Sequence, residues 1–219
     1  KFFFQYGWCF GFGYFLFSLY WISISLTFDQ SFKFLIPVAI ILLPAFLAVF
    51  YGLITYLFSN FYSKGVVSSF LIFSILFGTI EYLRGSVLSG FPWNLISFSF
   101  SNNIYFIQIL SIIGTYSFNL ICISLFTVPA LFILGKSRKE ILVCFFFIFL
   151  SITFFVFGKI KSDDFNSIES VKNSYSIKAI SPNISIDRFY SKQDELKIIN
   201  ELIKLSAPTK INPTIYLWP

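Results

Sequence analysis

Long runs with almost no charged residue dominate residues 1–158, and each is long enough to cross a membrane. A hydrocarbon core requires about 20 consecutive helical residues. The pattern predicts five membrane-spanning helices, over residues 2–28, 34–58, 66–83, 114–134 and 141–158. Residues 104–113 precede the fourth as an interfacial or tilted extension, because an uncharged run from 104 to 134 is too long for one upright helix. Residues 1–158 are therefore expected to form a polytopic α-helical membrane domain.

Proline and glycine residues inside these runs indicate how the helices bend and pack. Pro37 and Pro44 fall in the second run, and proline is tolerated in membrane helices whose neighbours satisfy the freed carbonyl groups. We therefore predict one bent helix there. Gly7 and Gly11 form a G-x-x-x-G pattern, which lets two helices approach closely. We interpret this pattern as a packing surface.

The chain changes character after residue 158. Residues 159–174 are polar and are predicted to form a linker. Residues 175–180 alternate as a strand does, 192–205 carry apolar residues at helical spacing, and 214–218 form a second short apolar stretch. The order strand, helix, strand predicts a parallel pair that opens an α/β domain over residues 175–219.

Composition agrees with a membrane protein and excludes other classes. Hydrophobic residues make up 57% of the chain and charged residues 12%, with a mean hydropathy of +0.80. A soluble domain of this composition would expose large apolar patches. The net charge is +6, but no cluster of Lys and Arg suggests a surface for nucleic acid.

The chain offers little for metal or thiol chemistry. It has no histidine, and Cys9, Cys122 and Cys144 each lie within an apolar run. Thiols in such surroundings are poor nucleophiles, so we predict that they are small buried hydrophobic residues. We expect no metal site and no cofactor.

The stretch 81–94 combines charge, glycine and proline in an otherwise apolar region. Glu81 and Arg84 are three positions apart, so on a helix they share a face and can neutralise each other. One interpretation is a simple ion pair at a helix end. The other is a lipid-handling site, because an ionisable residue near membrane depth indicates function.

The residues that follow predict a helix end and a loop that dips into the membrane interface. Gly85, Gly90 and Pro92 do not readily continue a helix. Phe91 and Trp93 are amphipathic rings of the type found where membrane meets water, so they are interpreted either as interface anchors or as part of the lipid-handling site.

The short loops predict the orientation of the helices. Residues 135–140 contain Lys136, Arg138 and Lys139, and loops rich in basic residues stay in the cytoplasm. Alternation of the spans then places residues 84–103, and everything after 158, on the opposite side of the membrane.

The pattern E-x-L-R-G-x-x-x-[ST]-G-F-P-W resembles the hallmark of apolipoprotein N-acyltransferases, bacterial inner-membrane enzymes that add the third acyl chain to lipoproteins. Residues 11–21, where a small-residue helix leads to a tryptophan, are similar to an early span of that family. The fixed positions of the hallmark are occupied by Glu81, Leu83, Arg84, Gly85, Ser89, Gly90, Phe91, Pro92 and Trp93.

The last residues resemble part of the nitrilase superfamily. Leu217-Trp218-Pro219 is similar to the apolar strand that runs into W-P-E, whose glutamate is the general base of a Glu-Lys-Cys triad. Residues 180–184 resemble the Q-x-N-I strand, with Ser181 in place of the glutamine and Phe189-Tyr190 in place of the usual Lys-Trp. We expect a fragment, with the catalytic glutamate directly after Pro219 and the lysine and cysteine further downstream.

The resemblance implies an acyl transfer in two steps through a cysteine thioester. Its partners would be a phospholipid donor, a lipoprotein acceptor and membrane lipids, with no cofactor. It implies a monomer in the bacterial inner membrane with its C-terminal domain on the periplasmic side. Residues 1–219 alone would have no activity. Residues expected to line the access route for lipid are Glu81, Arg84, Gly90, Phe91, Pro92 and Trp93.

Two other functions remain open from the residues themselves. One is a membrane-anchored nitrilase-superfamily enzyme with a different acceptor. The other is a transporter or structural membrane protein without catalysis. Transport would favour broken helices at mid-membrane with several buried ionisable residues. Here only Glu81 and Arg84 fit that description, and they lie at a predicted helix end.

Overall fold

The computed structural model describes residues 2–88, 90–135, 137–168, 175–182, 195–207 and 213–218. The chain divides into two compact units, with the boundary between Ser167 and Ile168. The first unit is helical, and the second contains a small sheet and one helix.

The first unit is built from long apolar helices joined by short connections. Among the described residues, five helical segments are long and apolar enough to cross a membrane, as predicted. The α-helices are α1 (Phe2–Leu19), α2 (Ile36–Phe61), α3 (Val66–Ser86), α4 (Ile104–Ile107), α5 (Leu110–Leu134) and α6 (Arg138–Ser167). Three 3₁₀ segments accompany them, at Tyr20–Thr27, Gln30–Leu35 and Ile96–Phe100.

The first predicted span changes its helical type part of the way along. The α-helix ends at Leu19, and Tyr20–Thr27 continues as a 3₁₀ helix. In that segment the hydroxyls of Ser23, Ser25 and Thr27 each donate to the carbonyl three residues earlier. Such side-chain bonds compete with the regular α-helical ladder, which explains the tighter winding.

Proline and glycine act differently in α2 and α5. Pro44 lies inside α2, which continues as one helix, so the prediction of a single span is confirmed. Gly114 interrupts α5 with φ 74° and ψ 170°, a conformation open to glycine. The predicted division of the 104–134 run at this residue is therefore confirmed.

The last long helix extends beyond its predicted end. α6 continues through Ser167, so residues 159–167 of the predicted 159–174 linker are helical. Lys159 and Asp163 are four positions apart, an arrangement that supports a solvated helix. Gly158 lies inside α6, and its lack of a side chain allows this helix to approach the carbonyl group of Tyr105 in α4.

The core of the first unit lies where α1 and α2 meet α3 and α5. Gly7 and Gly11 are buried on α1 and face Tyr51 of α2, so the predicted packing role of the G-x-x-x-G pattern is confirmed. The central cluster of buried apolar side chains comprises Phe15, Leu19, Leu47, Tyr51, Ile54, Phe77, Ile80 and Ile123.

Gly7→Ala is expected to destabilise this packing. The added Cβ would collide with the backbone carbonyl of Tyr51 and with Thr55, so α1 and α2 would have to separate. Overpacking of this kind costs about 1–3 kcal/mol, which unfolding by denaturant in detergent would measure. Gly13→Ala is the control, because its Cβ would meet no atom within 4 Å. Equal stability of the two variants would contradict the packing role.

The second unit has the predicted strand, helix, strand order. β1 (Ser176–Ala179) and β2 (Thr214–Leu217) pair in parallel, with Ser176 opposite Thr214. α7 (Glu195–Ser206) lies between them in the chain. Ser206 links α7 to the two strands. Its carbonyl accepts from Lys178 Nζ of β1 at 2.8 Å, and its hydroxyl accepts from Nε1 of Trp218, directly after β2, at 2.9 Å.

Candidate functional site

The C-terminal end of α3 carries a buried ion pair with two parallel hydrogen bonds. Arg84 Nε donates to Glu81 Oε1 at 3.2 Å, and Nη2 donates to Oε2 at 3.0 Å. Each residue is only 1% exposed. The predicted pairing on one helix face is confirmed. Because an unpaired buried charge is strongly destabilising, each partner requires the other.

Arg84 also anchors the loop that follows the helix. Its Nη1 donates to the carbonyl oxygens of Phe91 and Trp93, both at 2.9 Å. The Phe91 N–H donates back to the Arg84 carbonyl at 2.9 Å. The guanidinium carbon lies 5.2 Å from the ring centre of Phe15 in α1, a cation–π contact. One side chain thus joins α1, α3 and the loop.

Two glycines allow the loop to fold back on the helix. Gly90 has φ +78°, in the left-handed region that favours glycine. A Cβ at Gly90 would collide with the Gly85 carbonyl oxygen. Gly85 in turn faces the Tyr116 hydroxyl of α5 with no space for a side chain. Beyond the glycines, Tyr14 of α1 donates to the Asn94 carbonyl at 3.0 Å and holds the far end of the loop.

The two rings of the loop have different surroundings. Phe91 is half-buried and packs on the central cluster of the first unit. Trp93 is 47% exposed and stacks on Trp21 with 5.0 Å between ring centres. Pro92 and Trp93 form one wall of a cleft of about 390 Å³, which continues to Tyr116. We call this the loop cleft.

Two buried polar side chains complete the site, and sequence analysis did not identify them. Tyr51 and Asn119 face the Glu81 carboxylate from α2 and α5. Asn119 Oδ1 also accepts from the Ser97 N–H at 2.9 Å, which ties α5 to the segment after the loop. A polar residue in the middle of an uncharged run was a usable signal for Asn119. No such signal marked Tyr51, because the chain has 12 tyrosines and nothing in the local sequence distinguishes this one.

Tyr51 faces the buried ion pair and also lines an apolar cleft of about 370 Å³. Side chains from four helices line it, including Phe10 of α1, Ile54 of α2, Phe77 of α3 and Ile123 of α5. We call it the central cleft. Its walls are almost entirely apolar, so it suits a hydrocarbon chain and not a polar ligand.

The described residues of the site include no activated nucleophile. Both oxygens of the Glu81 carboxylate accept hydrogen bonds from Arg84, so this carboxylate is not free to act as a base. Cys122 and Cys144 are buried in the helical core, as predicted. Cys9 is exposed on α1, so that prediction is wrong for it, because this face of α1 is turned away from the protein core.

Several positions of the predicted motifs lie outside the described residues. They are Ser89 of the hallmark, residues 183–184 and 189–190 of the nitrilase-like segment, residues 192–194 at the predicted start of the helix, Pro219, and residues 169–174 of the predicted linker.

Five apolar helices, one of which ends in a buried ion pair and an aromatic loop, define a multi-pass membrane protein. Residues 1–127 match the family described as apolipoprotein N-acyltransferase N-terminal domain, so the chain belongs to that family.

Individual relatives carry the similarity beyond the helices. The apolipoprotein N-acyltransferase of Brucella melitensis is 30% identical over 219 aligned positions, covering 97% of this chain and 40% of the relative. That of Sinorhizobium medicae is 29% identical over 218 positions, with the same coverage. That of Rhizobium etli is 39% identical over 127 positions, covering 58% of this chain and 24% of the relative. The chain thus spans about 40% of the length of the first two relatives.

Proposed function

We propose that this chain is the membrane region, and the opening of the catalytic domain, of an enzyme that acylates lipoproteins. The enzyme would move a fatty acyl chain from a phospholipid to the N-terminal amino group of a diacylglyceryl-cysteine lipoprotein. Family membership supports acyl transfer and lipoprotein maturation in general. The observation that carries the proposal for this chain is the loop held by Arg84 beside two clefts.

The proposed role of the helical unit is to receive acyl chains from the membrane. Trp93 and Pro92 line the loop cleft, and the central cleft is apolar and adjoins the same buried ion pair through Tyr51. Both proposed substrates carry acyl chains that must leave the bilayer to react. A fixed aromatic loop beside apolar clefts offers these chains an alternative apolar surface.

The chemical steps are proposed to use residues that follow Pro219 in the full-length protein. A cysteine thiolate attacks the ester carbonyl of the phospholipid, the carbon–oxygen bond breaks, and a lysophospholipid leaves. The lipoprotein amine then attacks the thioester, forming an amide and restoring the thiol. A glutamate would act as base, and a lysine would stabilise the oxyanion.

Features of the second unit support its assignment as the start of a nitrilase-like domain. Catalytic residues of open α/β folds lie beyond the carboxyl ends of parallel strands, and β2 ends at Leu217, just before the W-P dipeptide. Leu196 and Ile203 of α7 and Ile177 of β1 are exposed. Further layers of a larger domain would cover these apolar side chains.

The proposed orientation follows from charge. The loop 135–140, which is rich in basic residues, would lie in the cytoplasm. The aromatic loop and the second unit would lie on the periplasmic side of the inner membrane. Phospholipid and lipoprotein would then meet the enzyme at the outer leaflet.

Acyl transfer by the purified full-length protein tests the function. The assay would use a labelled phospholipid donor and a diacylglyceryl-cysteine lipopeptide acceptor, and the expected products are N-acylated peptide and lysophospholipid. Residues 1–219 alone serve as the blank and are expected to be inactive. Acylation only of some other amine would support the alternative acceptor. No transfer by the full-length protein, or transfer by residues 1–219, would overturn the proposal.

Trp93→Ala is expected to slow this reaction in the full-length protein. Removing the ring deletes the stack on Trp21 and one wall of the loop cleft, and an aromatic pair contributes enough for up to about a tenfold effect. Phe132→Ala is the matched control, since Phe132 is a ring on α5 that is 72% exposed. If a Phe91→Ala/Trp93→Ala double variant transferred acyl chains at the wild-type rate, the access role of the loop would be wrong.

A further inference from the structure

A third cleft lies at the opposite end of α3 from the aromatic loop, and the proposed acyl transfer does not use it. It has a volume of about 590 Å³ and opens between α2, α3 and α5. At 1.5 Å per residue, about 27 Å of helix separates Val66 at this end from Arg84 at the other. We call it the basal cleft.

The walls of the basal cleft are apolar and its mouth is polar. Phe58, Phe70 and Leu131 contribute to the walls, while Ser63 and Lys64 lie at the mouth. Phe73 and Thr127 line both this cleft and the central cleft, so the apolar surface continues along α3. A long hydrocarbon chain therefore has a continuous apolar path from the mouth toward the middle of the helices.

The connection between α2 and α3 holds Lys64 at the mouth. The Ser69 hydroxyl donates to the Ser63 carbonyl at 2.6 Å and accepts from the Ser63 N–H at 3.1 Å, which closes the turn. Lys64 itself is exposed, and in the described part of the chain it has no ion-pair partner. Its ammonium group is available to an external anion.

The neighbouring loop adds positive charge, and its acidic residue forms hydrogen bonds within the loop. α5 ends and α6 begins on the same side as Lys64, and Arg138 and Lys139 are exposed there. The Glu140 carboxylate instead accepts from the Ser137 N–H at 2.9 Å and from the Ser137 hydroxyl at the start of α6, and the first of these bonds is one half of a capping box. This end of the helical unit therefore presents net positive charge next to an apolar cleft.

We propose that the basal cleft binds one phospholipid with an anionic head group. Its phosphate lies at Lys64, and one acyl chain follows the apolar walls toward Phe73. Lysine is a common phosphate partner, and basic residues at a membrane surface select anionic lipid over zwitterionic lipid. This lipid is distinct from the acyl donor, because it lies at the far end of α3. The free cation at the mouth favours a lipid over a further apolar helix as the occupant.

Lipid retention by the full-length protein tests the proposal. The protein would be reconstituted with equal amounts of phosphatidylglycerol and phosphatidylcholine, extracted in mild detergent and weighed with bound lipid by native mass spectrometry. Wild-type protein is expected to retain one phosphatidylglycerol. Lys64→Gln is expected to lower the ratio of retained phosphatidylglycerol to phosphatidylcholine about fivefold. Lys33→Gln, at the other end of α2, is expected to leave it unchanged.

A second pair of variants tests the cleft itself. Ala130 is exposed and lines the basal cleft, so Ala130→Trp would fill it and abolish retention of either lipid. Ile133→Trp is the control, on the same helix at a residue that is 73% exposed and outside the cleft. The proposal is overturned if wild-type protein retains no lipid, if Lys64→Gln keeps the wild-type ratio, or if both tryptophan variants retain lipid equally.

Discussion

Arg84→Met is expected to lower the free energy of unfolding of the full-length protein by about 3–5 kcal/mol, the usual effect of breaking a buried ion pair. The Glu81 carboxylate would remain buried without its counter-charge, and the carbonyl groups of Phe91 and Trp93 would lose their donor. Acyl transfer is expected to be lost as well. Unfolding in detergent and the lipopeptide assay measure the two effects.

A double variant separates stability from loop position. Glu81→Leu/Arg84→Met removes both charges, and apolar replacement of a buried pair is often neutral. Stability should therefore recover the part of the loss that comes from the unpaired Glu81 charge, while transfer stays low because the loop carbonyls still lack Arg84. Arg84→Lys should be intermediate in stability, since lysine keeps the charge but not the planar fork. A double variant no more stable than Arg84→Met would show that the ion pair is not the source of the loss.

Gly90→Ala is expected to displace the aromatic loop. The residue has φ +78°, which costs a non-glycine residue about 1–2 kcal/mol, and its new Cβ would also collide with the Gly85 carbonyl. The loop must then move away from α3. A displacement of about 1 Å can reduce a reaction rate about a hundredfold, so acyl transfer should fall sharply.

Gly114→Ala is the matched control for Gly90→Ala. Gly114 also has a positive φ, +74°, but a Cβ there meets no atom within 4 Å. Both variants should lose stability because alanine is strained at a positive φ, and only Gly90→Ala should lose most of its activity. Equal activities would mean that the close approach of Gly90 to Gly85 does not position the loop.

The long helices were predictable because the bilayer imposes a simple rule on sequence. Backbone polar groups in hydrocarbon must be satisfied within the helix, so each span appears as an apolar run of sufficient length. The structure adds details where that rule stops applying. At Tyr20–Thr27 hydroxyl groups altered the winding, and at residues 159–167 a helix continued into polar sequence.

The ion pair and the aromatic loop were also predictable, but only as a set of residues along one stretch. The i, i+3 spacing of Glu81 and Arg84 determined that the two could pair. The same spacing could not reveal that the guanidinium also binds the carbonyls of Phe91 and Trp93. Those contacts depend on the loop folding back at Gly90, which is a tertiary event.

Local sequence patterns were sufficient to predict the class of protein, the positions of the spans, the motif, and the parallel pairing of two short strands. These depend on local properties, namely the hydropathy of consecutive residues and spacing along one helix or strand. Only the tertiary structure placed Trp21 on Trp93 and brought Tyr51 and Asn119 to Glu81. Those contacts join residues far apart in the chain, and they follow from how close-packed helices rotate and cross, which no local pattern specifies.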